Sequence, residues 1–293
     1  MNVEPIGIIR SRDILGEGVL WDDRLQCIWW TDIAGRRLHR WTWRQRSLET
    51  FGLPERLGSF GLIENDDRIV AAFESGIARY DLADGSLTWL ARPEANTRGM
   101  RFNDGRVDRQ GRFWAGTMEE SEPREGRANL YVVHRSGNAE RRESGIEISN
   151  GACWSLDSRT FYFADSPRRN IYAYDFDAER ASISGRRIFA RLPPDAYPDG
   201  ATVDAEDHLW SAHWGAGKIV RYTSGGKIDR VLNVPASQPT CIAFGGPELD
   251  HLFVTSARDG LSKAGLESQP DAGSLFIYKL DCKGVAENRF VLA

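Results

Sequence analysis

The chain has 293 residues and a net charge of −4, from 38 basic and 42 acidic side chains with no basic block. It therefore lacks the electrostatic footprint of a nucleic-acid binder. No apolar run approaches the roughly 20 residues of a membrane span. Ten tryptophans and 29 glycines among frequent turn dipeptides instead suit short strands joined by tight turns.

In chain order, residues 3–10 read as a short strand. From Glu17-Gly18 onward one unit recurs: an oxygen-bearing side chain, a glycine, an apolar–polar alternation, a turn and a returning strand. Asp104-Gly105, Asn150-Gly151 and Asp199-Gly200 start further copies. Phe60-Gly61 keeps the phase with an apolar residue, and Thr240-Cys241 keeps it without the glycine. The steps from Gly18 through Gly61, Gly105, Gly151 and Gly200 to Cys241 are 43, 44, 46, 49 and 41 residues. Six units at a period of roughly 40–50 residues predict an all-β fold, a six-bladed β-propeller, as a single domain over residues 1–293. In such a ring, residues 3–10 are expected to close the last blade, with residues 287–292 as their neighbour.

Within the units, Asp22, Asp66, Asp108, Asp157 and Asp204 fall a few residues after each glycine and read as turn residues. Blade two, with Phe60, is expected to supply packing and no ligand. The charged stretch after Met118, EESEPREGRAN, reads as a long polar loop at the rim of a site. His213, at the end of a returning strand, is placed within reach of the pocket. Cys27, Cys153, Cys241 and Cys282 lie far apart with no CxxC pair and are expected as buried free thiols. With no signal-peptide pattern at the N-terminus, a cytoplasmic location is expected.

Radial symmetry brings equivalent residues to the axis at one height, so Glu17, Asn150 and Asp199 should converge, with Asn103 and Asp104 beside them. Facing carboxylates repel unless a cation lies between them. Two carboxylates and an amide oxygen suit a hard or borderline divalent ion, with Ca²⁺ first and Mg²⁺ or Mn²⁺ next. No histidine shares the phase, which disfavours a His-rich zinc site. Arg101 and Asn103, two apart, point to one side of an extended segment and suit a polyhydroxylated or anionic small molecule. No G-x-S-x-G elbow is present.

The stretches LGEGVLWD, RFNDGRVDRQGRFWAGTM, ISNGACWSLDSRTFYFADS, YPDGATVDAEDHLWSAHWGAGKIVRY and TSARDGL with QPDAGSLF resemble the gluconolactonase/regucalcin family of sugar lactonases across almost the whole chain. The resemblance implies a six-bladed propeller that hydrolyses aldonolactones with one axial divalent metal, for which Zn²⁺ and Fe²⁺ also come into question. It implies Glu17, Asn150 and Asp199 as metal ligands, with Asp199 also the general base. It implies Arg101 and Asn103 as substrate-binding; Asp104, beside them at the axis, is a further substrate-binding candidate. An acidic residue after the AGTM segment would help hold the sugar, and Glu120, with Glu119 as its rival, is the candidate. A calcium-binding regulatory protein, an esterase for non-sugar esters and a non-enzymatic scaffold stay open as other readings.

Overall fold

The computed structural model describes residues 3–292. Period-two alternation interrupted by turns produces antiparallel meanders. After β1 (Gly7–Ile9), the first sheet is β2 (Gly16–Asp22), β3 (Cys27–Asp32), β4 (Arg37–Thr42) and β5 (Ser47–Gly52). The second is β6 (Leu57–Leu62), β7 (Ile69–Phe73), β8 (Gly76–Tyr80) and β9 (Leu87–Ala91). The third is β10 (Met100–Val107), β11 (Phe113–Glu119), β12 (Ala128–Val133) and β13 (Ala139–Ile146). The fourth is β14 (Ser149–Trp154), β15 (Thr160–Asp165), β16 (Asn170–Asp177) and β17 (Ser182–Arg191). The fifth is β18 (Tyr197–Val203), β19 (Leu209–Trp214), β20 (Lys218–Tyr222) and β21 (Ile228–Asn233). The sixth joins β22 (Pro239–Gly245), β23 (His251–Ser256) and β24 (Leu275–Lys279) to β1. A short helix, α1 (Lys263–Ser268), lies in the insertion between β23 and β24. No helix among the described residues is long and apolar enough to cross a membrane.

The first strand of each sheet packs on the first strand of the next, and β22 returns to β2, so the ring closes. Burial falls from inside to outside: β14 and β22 are buried throughout, whereas β5 is mostly exposed. Between neighbouring blades lie apolar clusters. In one, Phe161 is fully buried against Trp114, Trp154 and Phe176. Phe161→Ala should cost about 3–5 kcal/mol, the usual range for emptying an aromatic core position, read as a lower urea midpoint at unchanged slope.

The turn aspartates act as expected. The carboxylates of Asp22, Asp66, Asp108, Asp157 and Asp204 each accept the backbone N–H two residues on. Two do more: Asp108 accepts the indole N–H of Trp114, and Asp204 that of Trp210. All four cysteines are free and buried.

Ring closure follows the expectation for the N-terminal strand, since β1 pairs antiparallel with β24, Gly7 opposite Ile277. The expectation for residues 287–292 is corrected. That segment is not the neighbour of β1 but a strap across the ends of the innermost strands. Gly284 bridges Asp204 in blade five, and Phe290 bridges Ile63 in blade two. The N–H of Val291 donates to Gly111 O in blade three. Phe290 is fully buried there, and that burial explains why the strap crosses the ring instead of extending its edge.

Candidate functional site

The strap covers one end of the axis and a cavity of about 470 Å³ opens at the other, where the innermost strands begin. At that end the pairing of β2, β10, β14 and β18 to their second strands slips by a bulge. The slips lie between Glu17 and Leu20, Phe102 and Gly105, Asn150 and Cys153, and Pro198 and Ala201. A bulge re-aims side chains at the end of a strand. Here it turns Glu17, Asn103, Asn150 and Asp199 toward one another and into the cavity. Gly18 and Gly151 have φ of +57° and +64°, which side-chain-bearing residues rarely adopt. At Gly200 the need is space: a Cβ would lie 2.7 Å from Cys241 Sγ.

Glu17, Asn150 and Asp199 are all buried. Burial, then the charge of Asp104, pushes the Glu17 carboxyl up to about 8, while the N–H of Gly18 and a hydrogen bond with Asp199 pull it down. Burial, then Glu17, holds Asp199 well above the usual carboxylate range. Two carboxyls buried against each other, both raised chiefly by that burial, fit a divalent cation placed between them. The Asn150 amide is locked: its Nδ2 donates to Ser166 Oγ at 2.8 Å, and Ser166 Oγ donates to the Pro198 carbonyl at 2.6 Å. This leaves Asn150 Oδ1 as the acceptor of the amide, which takes Asn103 Nδ2 at 3.0 Å in the same cavity lining as the carboxyls. Among the described residues no three His, Cys, Asp or Glu side chains cluster as a metal site. The donor set is two carboxylates completed by an amide oxygen, which suits Ca²⁺, Mg²⁺ or Mn²⁺ chemistry.

Asn103 links this set to Arg101. Its Oδ1 accepts Arg101 Nη1 at 2.8 Å while its Nδ2 donates to Asn150 and to the Ser149 carbonyl. Burial brings Arg101 down to about 10, against the pull of Glu120. Arg101 Nε lies 3.4 Å from Glu120 Oε1.

Two expected substrate contacts take different places. Asp104 is not in the cavity: the bulge turns it behind the carboxylate pair, where its Oδ2 accepts the Ala152 N–H at 3.2 Å. There it lines a separate void of about 20 Å³, room for roughly one water. Glu120 does not line the cavity either; Arg56 grips it through two nitrogens at 2.6 and 2.9 Å, and it reaches the site through Arg101. Its rival Glu119 is fully buried beneath the polar loop. Burial would raise the Glu119 carboxyl, but the N–H of Glu125 and the Arg127 guanidinium bring it down to about 2. A carboxylate depressed in the folded state stabilises above its ordinary value and loses that contribution as pH falls toward its folded one. The melting-temperature gap between wild type and Glu119→Gln should therefore be widest above pH 4.5 and close toward pH 2.

His213 is also corrected. Strand alternation sends it to the blade interior, where it is buried, hydrogen-bonds Tyr222 at 3.1 Å and is brought down to about 4, chiefly by burial. Its neighbour Trp214 faces the cavity in its stead. The remaining walls were not foreseen. Blade three adds Met118 and, from the polar loop, Arg124; blade four adds Ser166, Pro167 and Arg169; blade five adds Tyr197; the blade-six insertion adds Asp259. Pairing register was the available signal, because Met118 lies opposite Arg101 and Trp214 opposite Tyr197.

With this geometry, the chain matches the family model described as SMP-30/Gluconolactonase/LRE-like region over residues 15–258. It is 37% identical over 286 residues to a 6-deoxy-6-sulfogluconolactonase of Pseudomonas putida, with 97% of each chain covered. It is also 37% identical over 286 residues to an L-arabinolactonase of Azospirillum brasilense, covering 96% of this chain and 93% of that one. The crystal structure of a calcium-binding protein, regucalcin, from Agrobacterium tumefaciens superposes with a TM-score of 0.93 at 31% identity, each chain fully covered. Fold, family match and near-full-length relatives agree, and the chain belongs to the SMP-30/gluconolactonase/LRE-like family.

Proposed function

We propose that this protein hydrolyses a sugar aldonolactone to the aldonic acid, as a carboxylic ester hydrolase that uses one divalent cation held by Glu17, Asn150 and Asp199. The observation that carries this reading is the pair of buried carboxyls, Glu17 and Asp199, brought together in the lining of a polar cavity, with the Arg101–Asn103–Asn150 chain beside it. Relatives named for lactones of a C6 sulfosugar and of arabinose support the substrate class. A calcium-binding relative of the same fold makes Ca²⁺ the first candidate ion, with Zn²⁺, Mn²⁺, Mg²⁺ and Fe²⁺ as alternatives. Four free buried thiols support a reducing compartment, the cytoplasm.

A divalent cation at this place supplies positive charge against the negative charge that develops on the lactone carbonyl oxygen. Asp199 accepts the proton of the attacking water as its oxygen bonds to the carbonyl carbon. The ring C–O bond then breaks, and Asp199 returns the proton to the departing ring oxygen, which becomes a hydroxyl. Asp199 is the buried carboxylate of the cavity lining proposed for the proton, so it stands within reach of a water attacking a bound lactone. Arg101, held by Asn103 and Glu120, orients the sugar hydroxyls. Tyr197 and Trp214 add aromatic surface to the wall beside the sugar.

The test is acid release from a panel of C5 and C6 aldonolactones, by metal-stripped protein resupplied with single divalent ions. Turnover with one ion and a clear preference among the sugars is expected. Tight ion binding with no turnover of any lactone would replace this reading with a calcium-handling role.

A further inference from the structure

Three arginines line the cavity, and they differ in what balances them. Arg101 faces Glu120 at 3.4 Å, and Arg124 pairs with Glu122. Arg169 has no carboxylate within ion-pair distance among the described residues. It follows the single 3-10 turn Ser166–Arg168 with φ of +54°, and its N–H donates to the Ser166 carbonyl at 2.9 Å. It is therefore fixed to the same short segment whose Ser166 hydroxyl locks Asn150.

The guanidinium is also held from outside the segment. Its carbon lies 4.8 Å from the centroid of the Tyr197 ring, and Nη2 donates to the Tyr197 hydroxyl at 3.1 Å. Tyr197 in turn packs edge-on against Trp214, with ring centroids 5.6 Å apart. Arg169 Nε is buried with no hydrogen-bond partner. A half-buried, pre-oriented guanidinium with unused donors and no counter-ion is what a concave site presents to an anion. The other unpaired charge of the cavity, Asp259, lies in the blade-six insertion and is exposed to solvent, so water screens it. If a divalent ion balances Glu17 and Asp199, the blade-four and blade-five wall keeps an excess positive charge.

We propose that the lactone this site takes carries an anionic group on the carbon farthest from its carbonyl, a sulfonate, phosphate or carboxylate, and that Arg169 is the residue that reads it. This rests on the lactonase reading of the same site. Arg169 is a specificity residue: the lactone carbonyl goes to the Glu17–Asn150–Asp199 end, and the terminal anion goes to the guanidinium on its Tyr197 platform.

The experiment compares gluconolactone with its C6-phosphorylated and C6-sulfonated counterparts, using metal-loaded wild type and Arg169→Gln. Wild type should favour the two anionic lactones by about 10- to 100-fold in kcat/KM, the usual worth of a charge-assisted hydrogen bond. Arg169→Gln should shrink that ratio by a similar factor, mainly through KM. Preference for only one of the two would say which anion the site was built for. Equal or better use of unsubstituted gluconolactone by wild type would overturn the proposal and leave the lactonase reading intact. An equal loss on all three lactones in Arg169→Gln would make Arg169 a structural clip. Calorimetric binding of 6-phosphogluconate against gluconate decides the same question without turnover. The phosphorylated acid should bind wild type at least about tenfold more tightly, and equal affinities would overturn the proposal even if no lactone is hydrolysed or the variant fails to fold.

Discussion

Asp199→Asn should keep the fold and lose lactone turnover by about 10²- to 10⁴-fold, the usual contribution of a positioned general base. The substitution preserves shape and one oxygen donor but removes the group that can accept a proton. It also lifts the repulsion with Glu17, the leading charge acting on Asp199 after burial itself, so folding stability should not fall. Because Asp199 is also a proposed metal ligand, metal content must be measured beside kcat. A variant that retains its ion and still loses turnover isolates the proton-transfer role. Turnover within tenfold of wild type would remove Asp199 from that role.

Stripping divalent ions should abolish hydrolysis, and resupplying one kind should restore it. A second readout is independent of catalysis. An ion that binds only the folded protein adds about 2.7 kcal/mol at a hundredfold excess over its Kd, so the melting temperature should rise on readdition. In Glu17→Gln that rise should shrink, because the variant keeps the shape of the site but halves its carboxylate charge. Asn150→Ala should also shrink it, and there the Asn103–Asn150 and Asn150–Ser166 hydrogen bonds go too. A thermal shift of wild-type size in both variants would place the ion elsewhere in the molecule.

Much of the architecture was legible because a propeller writes its symmetry into the chain. Four blades slip by a bulge at this end of their first strand, and a glycine lies in or beside each slip, hence the recurring glycines at 18, 105, 151 and 200. The residue before each glycine is then carried to the axis by rotation alone. This is why Glu17, Asn150 and Asp199 could be grouped across more than 180 residues of chain. The turn aspartates were legible for a local reason, since their carboxylates bond the backbone only two residues away.

What the sequence could not carry was the direction in which each side chain leaves its backbone. Asn103 and Asp104 are adjacent and equally polar, yet the bulge sends one into the cavity and the other behind it. His213 and Trp214 are likewise adjacent, and alternation along β19 chose the tryptophan. Glu119 and Glu120 also part, one bound to the loop that covers it and the other to Arg56 and Arg101. The path of residues 287–292 depended on a buried slot for Phe290 that exists only once the ring has closed. The sequence by itself determined the repeat, the blade count and the axial oxygen donors, because these follow from periodicity. Tertiary structure decided which neighbours face the substrate and which arginine stands without a counter-ion, because both depend on contacts between blades far apart in the chain.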